Sequence, residues 1–249
     1  EEMPSVYNDA KYFLDVNGFL KFKCTGVAVA EYSGASSYGL DTKKKTWLGA
    51  LKLTGIDMKK LPPLVKSTDM IGEGLLPEAA KAMKLNPGTP VFGGCDDTQA
   101  AALGSGMNGE GDIHIYLGTS AWVGATSSTE TKFKHGAAAI QSADINMNLI
   151  VGITEAAGSN LEWIKNQFFK KEAEELGSGI YDYMDSVIEH IPAGSEYLIC
   201  TPWMLGERCP VSSTTTRSTL FNIDPRHTRE HLMRAVYEGI GYNRRWILE

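Results

Sequence analysis

The stretch Thr89-Pro90-Val91-Phe92-Gly93-Gly94-Cys95-Asp96-Asp97-Thr98-Gln99-Ala100-Ala101 decides how this chain is read. Its opening residues predict a short buried strand ending in glycines, and the small residues 98–103 predict a helix. Between them stand two aspartates. The carboxyl end of a strand and the amino end of a helix are where α/β proteins gather ligands, because backbone N–H groups and the helix dipole converge there. Asp96, three residues before Gln99, fits a helix cap whose carboxylate accepts an amide N–H of the first turn. Capping accounts for Asp96 and leaves Asp97 over, either as a second capping group or as a carboxylate that can move a proton.

Toward the N-terminus the pattern is helical in short pieces. Val6, Tyr7, Ala10, Phe13 and Leu14 share one helical face, and Trp47, Leu48 and Leu51 mark a second stripe. Gly26, Gly34, Ser36-Ser37 and Gly39 supply turns, and Gly55-Ile56-Asp57 and Pro62-Pro63 end the second stripe. Pro77 opens a further helix that stops at Asn86-Pro87-Gly88. Toward the C-terminus, segments 113–117, 122–125, 137–140 and 149–153 predict an antiparallel meander. An amphipathic helix follows from Ser159, which can cap it, with more helix to His190, a strand over 197–200, a Ser/Thr-rich loop over 212–219 and a last helix over 228–248. Helices before and strands after place a domain boundary in 107–112.

At 249 residues, 43% hydrophobic and 22% charged, the composition is that of a folded globular chain. No apolar run approaches the ~20 residues a membrane-spanning helix needs. A net charge of −6, with no basic cluster beyond Lys43-Lys44-Lys45, gives no reason to expect a nucleic-acid partner. The four cysteines form no CxxC pair and no Asn-x-Ser/Thr acceptor occurs, so reduced thiols in a cytoplasmic protein are expected.

Other stretches carry weaker chemistry. Gly118-Thr119-Ser120 can turn backbone N–H groups and two hydroxyls toward phosphate oxygens, or can be a plain hairpin turn. Gly104-x-Gly106-x-x-Gly109 matches the dinucleotide-binding string, but that fingerprint needs a strand before it and a helix after it, and the order here is reversed. It keeps a nicotinamide-dependent oxidoreductase as a competing reading. His227 and His231 are spaced for one helical face, yet a metal would need a third ligand, and His114, His135 and His190 show no partner spacing. Glu207 and Arg208, between Gly206 and Pro210, read as salt-bridging residues that shape a loop.

In order and spacing these segments resemble the FGGY family of carbohydrate kinases over nearly the whole chain. Gly93 to Ala101 looks like the family's Gly-Asp-Gln or Gly-Asp-Asn motif and Tyr116-Leu117-Gly118-Thr119-Ser120 like its phosphate turn. Ala157-Gly158-Ser159-Asn160-Leu161-Glu162-Trp163 resembles its glycine-started helix beside the nucleotide, and Gly206-Glu207-Arg208-Cys209-Pro210 its Gly-Glu-Arg-Thr-Pro loop. The stretch from Ser218-Thr219-Leu220 to Glu238 is similar to the second family signature, with Asn222 where that signature usually has Gly. The family also has Gly before its catalytic Asp, where this chain has Asp96. Counting to Gly104 makes Asp97 the match and Asp96 the fallback.

The resemblance implies an α/β, actin-like ATPase (ribonuclease H-like) fold of two domains, present here only in part. It divides the chain into 1–111, the later part of an N-terminal domain, and 112–249, the first part of a C-terminal one. It further implies transfer of the ATP γ-phosphoryl group to a sugar hydroxyl, with Mg²⁺. Asp97 would be the general base, Thr98 would touch the sugar, and Gly118, Thr119, Ser120, Gly158 and Glu162 would meet the nucleotide. Thr54-Gly55-Ile56-Asp57, Leu61-Pro62-Pro63 and the Gly206 loop look most like the xylulokinase branch, so a pentulose such as xylulose is the expected substrate, with gluconate or another sugar as the alternative. A non-catalytic relative and a homodimer also stand as readings. Family members usually run to about twice this length. The Glu1-Glu2-Met3-Pro4 start is then expected to be the edge of an interior piece, inactive on its own.

Overall fold

The structure, a computed structural model, describes residues 3–129 and 136–249. His135 and the Glu1-Glu2 start lie outside the described residues. Two compact units are present among the described residues, one of 3–112, 126–129 and 139–149, the other of 113–125, 136–138 and 150–249.

In the first unit, helix α1 (Pro4–Asp9) stops early, so the expected face from Val6 to Leu14 is not one helix. Lys60 explains the stop. Its ammonium donates to the carbonyls of Tyr7, Asn8 and Ala10 at 2.6, 2.9 and 2.7 Å, satisfying groups that a longer helix would have used itself. Asp15 caps α2 (Val16–Thr25) by accepting the Gly18 amide, and Gly26 ends it at φ 75°. Strand β1 (Ala30–Glu31) leads into α3 (Tyr32–Ser36), followed by the hairpin β2 (Leu40–Asp41) and β3 (Thr46–Trp47). The expected helical stripe at Trp47 is thus half hairpin, half 3₁₀ turn (Gly49–Thr54), with the indole N–H held by the Pro62 carbonyl. β4 (Leu64–Val65) pairs in parallel with β1, and Ala30, Ala35 and Leu40 form the small core between these elements.

α4 (Pro77–Met83) forms as expected from Pro77. Segment 89–94 does not become a regular strand. It runs beside 67–75, with Ile71 and Leu75 donating to the Val91 and Thr89 carbonyls, but Pro90 has no N–H to return and the ladder reduces to a single bridge, Met70 to Phe92. α5 (Asp97–Gly104) follows at once.

β5 (Ile113–Leu117) comes after Gly109, so the glycine loop at Gly104, Gly106 and Gly109 has a helix before it and a strand after it. That order overturns the dinucleotide-loop reading. β6 (Ala121–Ser127), β7 (Ala138–Gln141) and β8 (Asn148–Thr154) complete a sheet in the order β5-β6-β8-β7. The expected meander is therefore corrected at its end, where the last strand inserts beside β6 and displaces β7 to the edge.

The second unit's core is helical. α6 (Gly158–Phe168), α7 (Lys170–Leu176), α8 (Ile180–Ile188) and α9 (Arg229–Leu248) bury Ile164, Phe169, Met184, Met233 and Val236 against β9 (Ile199–Cys200), which pairs with β10 (Leu220–Phe221). Full burial of a Phe, Ile or Met side chain contributes about 1.5–3 kcal/mol each, enough for these to dominate the unit. Thr228 caps α9 together with His231, whose Nδ1 accepts the Thr228 amide, and His227 Nδ1 accepts the Asp224 amide. Local hydrogen bonds thus occupy both histidines, and no His/Cys/Asp/Glu cluster suited to a metal is found among the described residues. Asn222 sits at φ 67°, the left-handed conformation that asparagine tolerates best after glycine. No helix among the described residues is long and apolar enough to cross a membrane.

Candidate active site

The aspartate pair belongs to the first unit. Asp96 holds the N-cap position of α5 in extended backbone, and its Oδ1 accepts the Gln99 amide at 2.8 Å. Burial raises its pKa above the ordinary carboxylate value. The Gln99 hydrogen bond opposes that rise, and the nearby charges of Asp97 and Glu31 add to it. Asp97, one residue on, opens the helix with an exposed side chain whose hydrogen bond among the described residues comes from the Thr98 hydroxyl at 3.3 Å. Two adjacent carboxylates therefore have different jobs. One is spent on the helix, and the other is presented to solvent at the positive end of the helix dipole.

The phosphate-turn candidate belongs to the second unit. Gly118-Thr119-Ser120 closes the hairpin of β5 and β6, with Leu117 paired to Ala121 and the Gly118 amide donating to the Ser120 carbonyl at 2.9 Å. The start of α6 is tied to the same turn: the amides of Ala157 and Ser159 donate to the Thr119 carbonyl, and that of Gly158 to the Gly118 carbonyl at 2.8 Å. This proximity is why residue 158 is glycine. A Cβ there would lie 2.7 Å from the Gly118 oxygen, against backbone that cannot swing away. The amides and hydroxyls of Thr119 and Ser120 make no hydrogen bond to the described residues, which leaves four donors side by side on one turn.

The expected cap of α6 is corrected. Ala157 takes the cap position with no side-chain bond, while Ser159 falls inside the first turn, its hydroxyl buried without a partner among the described residues. Glu162 is already occupied, accepting from Lys165 Nζ and Tyr181 Oη at 2.7 Å each and from Asn166 Nδ2 at 3.2 Å. Lys165 first, then Tyr181, pull its pKa down to about 2.

The loop from Gly206 to Pro210 is a structural device. Glu207, 3% exposed, accepts the amides of Glu155 and Arg208 and the Asn243 side chain at 2.9–3.0 Å. Arg208 pairs with Glu155, at 2.6 Å, and not with its neighbour.

Sequence reading passed over the residues that hold the aspartate loop. Lys21 on α2 is buried and donates to the Gly93 carbonyl at 2.7 Å, and burial lowers its pKa against the opposing pull of Asp15 and Glu31. Ser33 accepts the Asp96 amide at 3.1 Å. The Asp15 cap before 16–25 and the Gly26 stop after it were the signal for α2.

Residues 1–104 match the profile described as the FGGY family of carbohydrate kinases, N-terminal domain, and residues 113–249 match that of the family's C-terminal domain. The chain belongs to the FGGY family of carbohydrate kinases. A xylulose kinase of Bacillus subtilis (strain 168) is 32% identical over 247 residues, covering 98% of this chain and 48% of that protein. A gluconokinase of Bacillus licheniformis is 29% identical over 247 residues, covering 97% and 48%. Among solved structures, the ligand-bound xylulose kinase from Lactobacillus acidophilus superposes with a TM-score of 0.85 at 23% identity, covering 98% of this chain and 48% of that one. The fold is accordingly the actin-like ATPase fold of these sugar kinases. The chain spans about half the length of the curated relatives it matches.

Proposed function

We propose that the full-length protein transfers the γ-phosphoryl group of ATP to a hydroxyl of a small sugar, with Asp97 as general base. The observation that carries this reading is the division of labour between the two aspartates, since Asp96 is half-buried and caps the helix while Asp97 is exposed, with its neighbour Thr98 as its hydrogen-bond partner among the described residues. A neutral sugar hydroxyl is a poor nucleophile, and a carboxylate within hydrogen-bond reach accepts its proton as it attacks in line. The Thr98 hydroxyl, bonded to Asp97, orients that carboxylate and is placed to touch the sugar.

The fit to a nucleoside triphosphate rests on the four open donors of Thr119 and Ser120, a composition suited to phosphate oxygens. Gly118 and Gly158 keep that turn fastened to α6. Mg²⁺ sites of this kind draw on substrate phosphates plus one or two carboxylates, so the cation would be expected to arrive with ATP. ATP and Mg²⁺ would supply the transferable group and its charge neutralisation. Glu162, spent on Lys165 and Tyr181, orders the exposed face of α6.

Two domains meet in this reading at 111/112, and the two profile matches, ending at 104 and starting at 113, support that division. Xylulose is the favoured acceptor. The xylulose kinase of Lactococcus lactis is 33% identical, above the gluconokinases at 28–29%, but the xylulose kinase of Staphylococcus epidermidis is 27%, so gluconate stays as the alternative acceptor. All four thiols are free, in keeping with a cytoplasmic setting. A sugar panel assayed with Mg-ATP on the full-length protein tests the proposal: turnover with D-xylulose well above that with gluconate is expected, and turnover with neither would refute it. The 249-residue chain alone should show negligible sugar-dependent ATP turnover, and a robust rate would refute that part.

A further inference from the structure

Segment 93–96, which delivers Asp97 to the start of α5, has no ladder or helix of its own. Its backbone is held from outside at every residue. The Gly93 amide donates to the Asp69 carbonyl and that of Gly94 to the Ser67 carbonyl, both at 2.9 Å. Lys21 Nζ clasps the Gly93 carbonyl, and Asn17 Nδ2 reaches the Cys95 carbonyl at 3.4 Å. Among the described residues the Asp96 amide has one acceptor, the Ser33 hydroxyl.

That hydroxyl is itself oriented. Ser33 is fully buried, and its Oγ–H donates to Glu31 Oε2, which also accepts the amides of Ser33 and Gly34. Ser67 Oγ lies 2.8 Å from the other oxygen of the buried Glu31 and equally close to the Ala143 carbonyl, so its one hydrogen is shared between these two acceptors. A hydroxyl that donates to a carboxylate has only its lone pairs left to offer and becomes the stronger acceptor for it. Its lone pair is aimed at the amide one residue before the proposed base.

Resting on the kinase reading above, we infer that Ser33, oriented by Glu31, is a positioning residue for Asp97, with Lys21 as the second arm of the same clamp at Gly93. Neither residue reaches the reacting atoms in this role. They fix where the Asp97 carboxylate stands. A base displaced by about 1 Å loses on the order of 10²-fold in rate, so a small slackening of the segment is read in kcat before it is read in nucleotide affinity.

The test is made in the full-length protein with Ser33→Ala, Ser33→Thr, Lys21→Met and, as the control, Ser36→Ala, which removes a hydroxyl on the same helix whose partner among the described residues is the Ser33 carbonyl. Amide hydrogen exchange across 93–98 and the steady-state constants are measured together. Ser33→Ala and Lys21→Met should speed exchange at least tenfold in this segment and lower kcat 10- to 100-fold, with KM for ATP within twofold. Ser33→Thr, which keeps the hydroxyl, should recover most of both, and Ser36→Ala should change neither. Unchanged exchange in Ser33→Ala, or faster exchange with wild-type kcat, overturns the inference, as does an equal loss in Ser36→Ala. A wild-type protein without sugar-dependent turnover would instead overturn the kinase reading, and the exchange data would still decide whether Ser33 holds the segment.

Discussion

Exchanging the two aspartates one at a time separates stability from chemistry at adjacent positions. Asp96→Ala removes the acceptor of the Gln99 amide, and loss of such a cap costs about 1 kcal/mol. Asp96→Asn keeps the acceptor and drops the charge. Because burial raises the Asp96 pKa, the folded chain holds that proton to higher pH than the unfolded chain does, so the group favours folding most below about 3.8 and less as pH rises through its folded value. At neutral pH the charged cap is therefore held at some expense, and Asp96→Asn should be neutral or slightly stabilising. Asp97→Asn, at an exposed first-turn position, forfeits only a helix-dipole interaction of about 0.5 kcal/mol.

Turnover should order the variants the other way. Asp97→Asn removes the proposed base and should lower kcat by about 10²–10⁴-fold with little change in KM for ATP. Asp96→Asn should retain kcat within a few-fold. Thermal midpoints and a coupled kinase assay on the full-length protein read both quantities, and 1 kcal/mol appears as a shift of no more than a few degrees. Loss of turnover in Asp96→Asn with activity kept in Asp97→Asn would refute the assignment and move the base to Asp96.

Gly158→Ala drives a Cβ to 2.7 Å from the Gly118 carbonyl, so the turn or α6 must shift. A loss of about 1–3 kcal/mol is expected, together with a higher KM for ATP, and an unchanged KM would argue that the turn does not meet the nucleotide. Glu162 has its pKa depressed to about 2, so its stabilisation is complete above about 4.5 and disappears as pH falls toward 2. A Glu162→Gln variant should show a flatter decline of thermal midpoint over that acid range, and an identical decline would show that the Lys165 and Tyr181 contacts contribute nothing. Glu207→Ala strands three donors in a buried setting and should cost about 3–5 kcal/mol, with Glu207→Gln milder; near-native stability on chemical denaturation of the alanine variant would contradict the contacts assigned to it.

What the sequence disclosed about the fold followed the signals that act locally. Pro77 marks a helix start that depends on its own few residues, and the last helix, expected over 228–248, begins at Arg229 behind the Thr228 cap. Strand identity was local too, since 113–117 and 149–153 alternate or run apolar at strand length. The order of strands was not. Whether β8 lies beyond β7 or between it and β6 depends on pairing over many residues, to which neither strand's composition is sensitive. The same holds for α1, whose stripe continues to Leu14 while a lysine fifty residues later takes its last carbonyls.

At the candidate site the division runs along similar lines. Asp96 and Asp97 are legible because capping is a relation over three residues, and once Asp96 is assigned to Gln99 its neighbour stands out. Thr119 and Gly158 are legible as small residues at a strand turn and a helix start, although what crowds Gly158 is the turn's own backbone. The shell beneath the aspartates has no such signature. Lys21 reads as one cation among many on a short helix, and its burial against the Gly93 carbonyl joins positions 72 residues apart. Ser33 and Asp96 are 63 apart, and nothing in either residue's neighbourhood names the other. A loop of glycines that places a reactive side chain needs contacts from outside itself, because it has no hydrogen-bond pattern of its own to define it. The residues that do the placing are then bound to lie elsewhere in the chain, and for this segment they are on α2, α3 and the turn at 67–69.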